Sequence, residues 1–175
     1  MALTATAQII ERTLWAMMDY YRADPKRIQH FIKVHAFARS IGISENLDAH
    51  TQYIVELAAL VHDIGIKKAE EKYGSSMGKY QEELGPQEAQ ALLTKIGVAP
   101  TDIERICYLV GHHHTYRNIE GIDLQILVEA DFIVNIYEDG LAPKAANSVL
   151  HKIFTTPSGK RMLCTCFGLD ECAIN

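Results

Sequence analysis

Eight histidines are spread over the chain, and six of them lie near predicted helix ends or on helices with an apolar face: His30, His35, His62, His112, His113 and His114. His62 is followed directly by Asp63. Imidazole and carboxylate together form a donor set for borderline divalent cations. In mid-helix, adjacent side chains diverge by about 100° and do not share one ion. Gly65 follows as a predicted breaker, and in the last turn before it the backbone can leave helical geometry and let the pair converge. Taken alone, a His-Asp dipeptide at a helix end reads first as a solvated cap. The run His112-His113-His114 precedes Thr115-Tyr116, where the chain is predicted to turn. Consecutive side chains point in different directions, so all three cannot face one pocket. His113 and His114 are assigned to the pocket and His112 to a packed or exposed position; a polar helix terminus interacting with the dipole is the alternative. His35 reads as a satisfied helix residue and His50 as a surface one. Gly74-Ser75-Ser76-Met77-Gly78 fits the G-x-S-x-G pattern of a nucleophile elbow, but the charged stretch Lys67–Tyr73 before it is not the hydrophobic strand that motif needs. A glycine-rich lid is the better reading. Lys67, Lys68 and Lys79 flank it and are placed to meet a phosphate, surface lysines being the ordinary explanation.

The elements that must carry these residues read as helices. Residues 4–21 carry Ile9, Ile10, Leu14, Met17 and Met18 at helical spacing. Asp24-Pro25 has the form of an N-cap followed by a first-turn proline, and the helix it opens is expected to stop at Gly42. Ser44 or Asp48 opens the next, whose apolar set Ile54, Leu57, Ala58 and Val61 ends at His62-Asp63-Ile64-Gly65. Residues 66–85 are expected to form a short helix and a loop. Pro86 is expected to begin a helix ended by Gly97, and Thr101 to cap another that runs into the histidine triplet. Residues 122–137 place Leu124, Leu127, Val128, Phe132 and Ile136 on one face, and shorter helices are expected around 144–154 and 157–166. No alternating run suggests a sheet. The expectation is a single all-α domain over residues 1–175.

Bulk properties narrow the partners. The chain has 175 residues, a formal net charge of −5, 48% hydrophobic and 22% charged residues, ordinary for one globular domain. A broad basic surface is not expected, which argues against duplex nucleic acid. A small anion remains compatible, because a bound metal supplies local positive charge. No basic n-region precedes the first apolar residues, and the apolar run Leu57–Val61 is far too short to span a membrane. The protein is therefore expected to be cytoplasmic, with Cys107, Cys164, Cys166 and Cys172 reduced and incidental rather than a zinc site.

Three segments change the weight of the His-Asp pair. Arg27-Ile28-Gln29-His30-Phe31-Ile32-Lys33-Val34, then Ala58-Ala59-Leu60-Val61-His62-Asp63-Ile64-Gly65, then Glu129-Ala130-Asp131 follow one another in order. This resembles the HD superfamily of metal-dependent phosphohydrolases, whose signature is H…HD…D on a helical bundle, over roughly residues 25–137. The resemblance implies an HD-type helical bundle in which His30, His62, Asp63 and Asp131 ligate a divalent ion. Two imidazoles and two carboxylates suit Mn²⁺, Fe²⁺, Co²⁺ or Ni²⁺, and also admit Mg²⁺. It further implies hydrolysis of a small phosphoester such as a nucleotide, with Asp63, His113, His114 and Lys67 as the residues acting on water and phosphate. Several subfamilies bind a second metal near the position of the triplet. This chain has no histidine between His62 and His112, so a second ion stays open, with substrate phosphate or a water as the other partners for His113 and His114. Cyclic di-GMP is disfavoured, since Tyr116-Arg117-Asn118-Ile119-Glu120-Gly121 follows the triplet instead of Gly-Tyr-Pro. The alternatives are a non-catalytic metal- or nucleotide-binding HD module and a di-iron HD-fold oxygenase. The oligomeric state is left open.

Overall fold

A computed structural model describes residues 4–169, and Cys172 lies outside them. Among the described residues there are nine helices and no strand: α1 (Ala5–Tyr20), α2 (Pro25–Ser44), α3 (Ala49–Val61), α4 (Gly65–Tyr73), α5 (Gly78–Ile96), α6 (Pro100–Val110), α7 (Ile122–Glu138), α8 (Pro143–Lys152) and α9 (Pro157–Phe167). No helix among these residues is long and apolar enough to cross a membrane.

Several boundaries follow from local chemistry. The Asp24 carboxylate accepts the Arg27 N–H and Pro25 takes a first-turn position, where its missing donor costs nothing. The Asp48 side chain accepts from His50 and Thr51 at the start of α3. Gly97 closes α5 in the left-handed region, at φ 89°.

Four expected boundaries are corrected. Helix α2 passes through Gly42 to Ser44. Thr101 lies inside α6, which starts at Pro100 behind the cap residue Ala99. Pro86 lies within α5, eight residues after its start at Gly78. A proline normally forces the preceding residue out of helical geometry through a clash with its side chain. Here that residue is Gly85, which has no Cβ to clash. Gly65 does not end a helix in the left-handed region but begins α4. Its Cβ would lie 2.7 Å from the Gln81 carbonyl oxygen and 2.9 Å from the Gly85 nitrogen and Cα, so Gly65 and Gly85 let the α4 and α5 backbones touch.

Helix α3 runs through the centre, packed on α1, α2, α6 and α7, and every side chain from Ile54 to Val61 is buried. This explains the apolar run Leu57–Val61, since a helix enclosed on all sides has no solvated face, and the buried Glu56 just before it is paired with His35 and Arg39. Helix α7 is buried almost as completely. The central helix therefore delivers His62 and Asp63 from its C-terminal end, while α2 and α7 deliver His30 and Asp131 from either side. Behind the site, the buried Glu129 of α7 accepts the backbone N–H groups of Thr155 and Thr156, at 2.7 and 3.0 Å, and ties the α8–α9 junction to the core.

Candidate metal centre

His30, His62, Asp63 and Asp131 are brought together. His30 Nε2 lies 3.2 Å from His62 Nε2, 3.2 Å from Asp131 Oδ1 and 3.4 Å from Asp63 Oδ2. His62 Nε2 is 3.5 Å from both Asp63 Oδ2 and Asp131 Oδ1. The adjacent His62 and Asp63 converge because α3 ends at Val61 and residues 62–64 form a tight turn, with Ile64 N–H on the Val61 carbonyl and Ile66 N–H on that of Asp63. The two tyrosines at the end of α1 brace this turn. Tyr21 Oη donates to the Asp63 carbonyl at 2.7 Å, and the Tyr20 hydroxyl is shared between the Glu88 carboxylate at 3.2 Å and the Ile64 carbonyl at 3.3 Å.

The orientation of the imidazoles is fixed from behind. His62 Nδ1 donates to the Ala59 carbonyl at 2.8 Å, and His30 Nδ1 to Glu138 at 2.9 Å. Both therefore present Nε2 inward, where two lone pairs 3.2 Å apart would oppose each other unless a proton on His30 or a cation separates them. A cation between them resolves that conflict. The spacings agree with this: donors about 2.1 Å from one ion stand about 3.0 Å apart in octahedral and about 3.4 Å apart in tetrahedral geometry. Three buried polar atoms here, Asp131 Oδ1, His113 Nε2 and His114 Nε2, have no hydrogen-bond partner. Such orphans cost roughly 1–3 kcal/mol each unless something satisfies them. The residues present fit a divalent ion.

A second grouping shares Asp63. Ligand atoms of Asp63, His113 and His114 lie within 4.8 Å of one another, as do those of His30, His62 and Asp63. Asp63 Oδ2 faces His30 and His62, while Oδ1 lies 3.5 Å from His113 Nε2, so the carboxylate stands between the two groups. His113 is fully buried and donates from Nδ1 to the Val110 carbonyl at 2.7 Å. His114 rests with its ring against Gly78, where a Cβ would come within 2.7 Å of the imidazole. Glu82 holds the turn by accepting the His114 N–H and the Thr115 hydroxyl, both at 3.0 Å. His112 turns away, donating to the Tyr108 carbonyl and stacking on the Tyr108 ring at 4.1 Å.

Proton affinities follow from this crowding. Burial opposes a charge on His30, but Asp131, Asp63 and Glu138 outweigh it and raise its pKa from 6.5 to about 9. Burial and the neighbouring His113 lower that of His114 to about 4. Burial would raise both carboxyl pKa values, yet the imidazoles of His62, His30 and, for Asp63, His113 hold Asp63 and Asp131 well below the usual carboxylate range.

The centre opens into a cleft of about 520 Å³ whose wall includes Lys26, Arg27, Ser76, Gln81, Tyr116 and Asn135. Lys67 does not line it; its ammonium lies over the Tyr20 ring, 5.2 Å from the centroid. Lys68 pairs with Glu71, and Lys79 lies over Tyr80. The cations on the cleft wall are Lys26 and Arg27, and Arg27 is already paired with Asp24 and Glu70. Gly74 ends α4 in the left-handed region at φ 62°, while Ser76 and Gly78 reach the wall, so part of the glycine-rich segment borders the cleft. His35 is satisfied by Glu56 at 3.1 Å, and His50 is exposed beside Asp102.

Sequence reasoning missed Glu138, Tyr20, Tyr21, Glu82 and Tyr116. Glu138 had a signal, since it stands two helical turns after Asp131 on the same helix. The tyrosines of α1 and Glu82 act across long sequence separations and leave no local pattern.

Comparisons agree with this geometry. The family model for the HD domain matches residues 27–151. The chain belongs to the HD-domain family. Its fold is similar to that of a crystal structure described as a predicted HD superfamily hydrolase from an uncultured Thermotogales bacterium. The TM-score is 0.60 at 23% identity, over 93% of this chain and 84% of that one. No curated protein matches the chain.

Proposed function

We propose that the protein is a metal-dependent phosphohydrolase acting on a small phosphoester, a nucleotide or another phosphomonoester. The observation that carries this reading is the convergence of His30 and His62 with two carboxylates, Asp63 and Asp131, each 3.2–3.5 Å from both imidazoles, with a buried Asp131 oxygen left unpaired, beside an open cleft. A divalent ion bound there (Mn²⁺, Fe²⁺, Co²⁺, Ni²⁺ or Mg²⁺) supplies Lewis-acid chemistry, lowering the pKa of water and offsetting phosphoryl charge. The cleft volume falls within the range of small-molecule sites, roughly 300–1,000 Å³. Asp63 stays ionised and orients water toward the substrate. Lys26, exposed on the wall and in no ion pair among the described residues, is placed to meet phosphate charge. His114 lines the same cleft and His113 lies buried beside Asp63, and these three are the residues that would hold a second ion.

That second group also favours a further reading, an oxygenase using a pair of irons, which needs two neighbouring metal sites. Turnover separates the two. Protein reloaded with Mn²⁺ should release inorganic phosphate from one or more members of a panel of nucleotides and sugar phosphates without oxygen. His113→Ala or His114→Ala should lower that rate by about 10- to 1000-fold, and His112→Ala much less. Metal-loaded protein that hydrolyses nothing in the panel would favour the non-catalytic module, and oxygen consumption by the iron form would favour the oxygenase.

A further inference from the structure

Three of the four imidazoles at the centre have Nδ1 on an atom that can only accept a hydrogen bond. These are the Ala59 carbonyl for His62, the Val110 carbonyl for His113, and the Glu138 carboxylate for His30, at 2.8, 2.7 and 2.9 Å. An acceptor-only partner keeps a proton on Nδ1 and leaves Nε2 as the atom that can take an ion. His114 is held differently. Its Nδ1 lies 3.2 Å from the hydroxyl of Tyr116, a group that both donates and accepts. When the hydroxyl accepts, Nδ1 carries the proton and Nε2 keeps a free lone pair, in a residue whose ligand atom lies within 4.8 Å of those of Asp63 and His113. When it donates, the proton sits on Nε2 and blocks it. Nε2 of His114 is buried and has no hydrogen-bond partner of its own to favour either arrangement. Tyr116 also lines the cleft, with its ring 4.9 Å from that of Phe132 and 40% of its surface exposed.

We propose that Tyr116 is the positioning residue for the second ion: its hydroxyl decides which nitrogen of His114 carries the proton, and so whether the Asp63–His113–His114 group is complete. This rests on the reading of Asp63 as a carboxylate shared by two ions. The first site is built with its donors locked, whereas the second depends on one two-way hydrogen bond at the cleft wall. The second ion is accordingly the weaker and more exchangeable of the two.

Tyr116→Phe tests this, because it removes one oxygen and keeps the ring that packs on Phe132. Metal-stripped wild type and variant are titrated with Mn²⁺ by calorimetry, with thermal unfolding as a check on the fold. Wild type should take two ions. The variant should keep the first with unchanged affinity and bind the second about 10- to 100-fold more weakly, the range for loss of an outer-shell partner. A merely structural role for Tyr116 would lower the unfolding temperature or weaken both ions together. A second readout is the ¹⁵N spectrum of the His114 imidazole in protein holding one equivalent of Zn²⁺. The ratio of the Nδ1–H to the Nε2–H form should change in Tyr116→Phe, because the hydroxyl that contacts Nδ1 is gone. Two ions bound with wild-type affinity by the variant, or an unchanged imidazole spectrum, would overturn the proposal. A wild type that takes only one ion would overturn the two-ion reading beneath it, and that failure is recognisable because the imidazole shift would persist.

Discussion

Gly65→Ala tests whether the turn that carries His62 and Asp63 is positioned by the contact between α4 and α5. The added Cβ would stand 2.7 Å from the Gln81 carbonyl oxygen and 2.9 Å from the Gly85 nitrogen and Cα. All three are backbone atoms of α5, so no side chain can rotate out of the way. Non-bonded carbon contacts settle near 3.5 Å, and the two helices must part by roughly 0.6–0.8 Å. Such overpacking costs about 1–3 kcal/mol, partly offset by the better helix propensity of alanine, for a net loss of about 1–2 kcal/mol. For a chain of this size that lowers the unfolding temperature by about 2–8 °C. Asp63 precedes Gly65 by two residues, and its carboxylate spacings of 3.4–3.5 Å leave little tolerance. Affinity for Mn²⁺ should therefore fall together with stability. Differential scanning calorimetry with and without the ion reads both. Wild-type stability in Gly65→Ala would refute the close-approach argument, and lost stability with intact Mn²⁺ affinity would show that the turn does not depend on this contact.

Gly78→Ala should act on the other side of the centre. Its Cβ would press on Cγ, Cδ2 and Cβ of His114 at 2.7, 2.8 and 3.0 Å, so the second equivalent of Mn²⁺ should weaken while the first stays bound; equal weakening of both would contradict this. The centre should also be pH-dependent. In the metal-free protein burial opposes the charge on His30, but Asp131, Asp63 and Glu138 raise its pKa to about 9 from the ordinary 6.5. A raised pKa contributes stability that is fully present below pH 6.5 and is lost as pH rises through 9, so the unfolding temperature of stripped protein should fall across that interval. The ion displaces the same proton, so apparent affinity should rise by about tenfold per pH unit up to pH 9. Mn²⁺ affinity that stays flat across that interval would contradict the His30 assignment.

What the sequence shows of this protein is governed by how local each feature is. Asp24, Asp48 and Gly97 act within one turn of themselves, and their roles are readable from side-chain chemistry alone. Gly65 and Pro86 carry the same kind of signal and mislead, because the reason for the first is the distant α5 backbone packed against it and for the second the missing side chain of Gly85 just before it. The resemblance carried by the order of His30, His62-Asp63 and Asp131 points to one group of ligands from the sequence alone. The second group is less visible. A search for another histidine between His62 and His112 looks in the wrong place, since Asp63 serves both groups and His113 and His114 arrive from the end of α6. The residues that hold the ligands in orientation, such as Tyr21 on the Asp63 carbonyl and Tyr116 on His114, emerge only from the packed structure.

The most direct test of the central claim is a count of bound metal. Wild type, Asp63→Ala and His50→Ala are stripped, reloaded with Mn²⁺, desalted and analysed by mass spectrometry of the metal. His50 is exposed beside Asp102, far from the ligands in role, and its variant should retain as much ion as wild type. Asp63→Ala removes a carboxylate that faces both groups and should lose most of the bound ion while remaining folded. Metal content in Asp63→Ala equal to that of wild type would contradict the assignment of this centre.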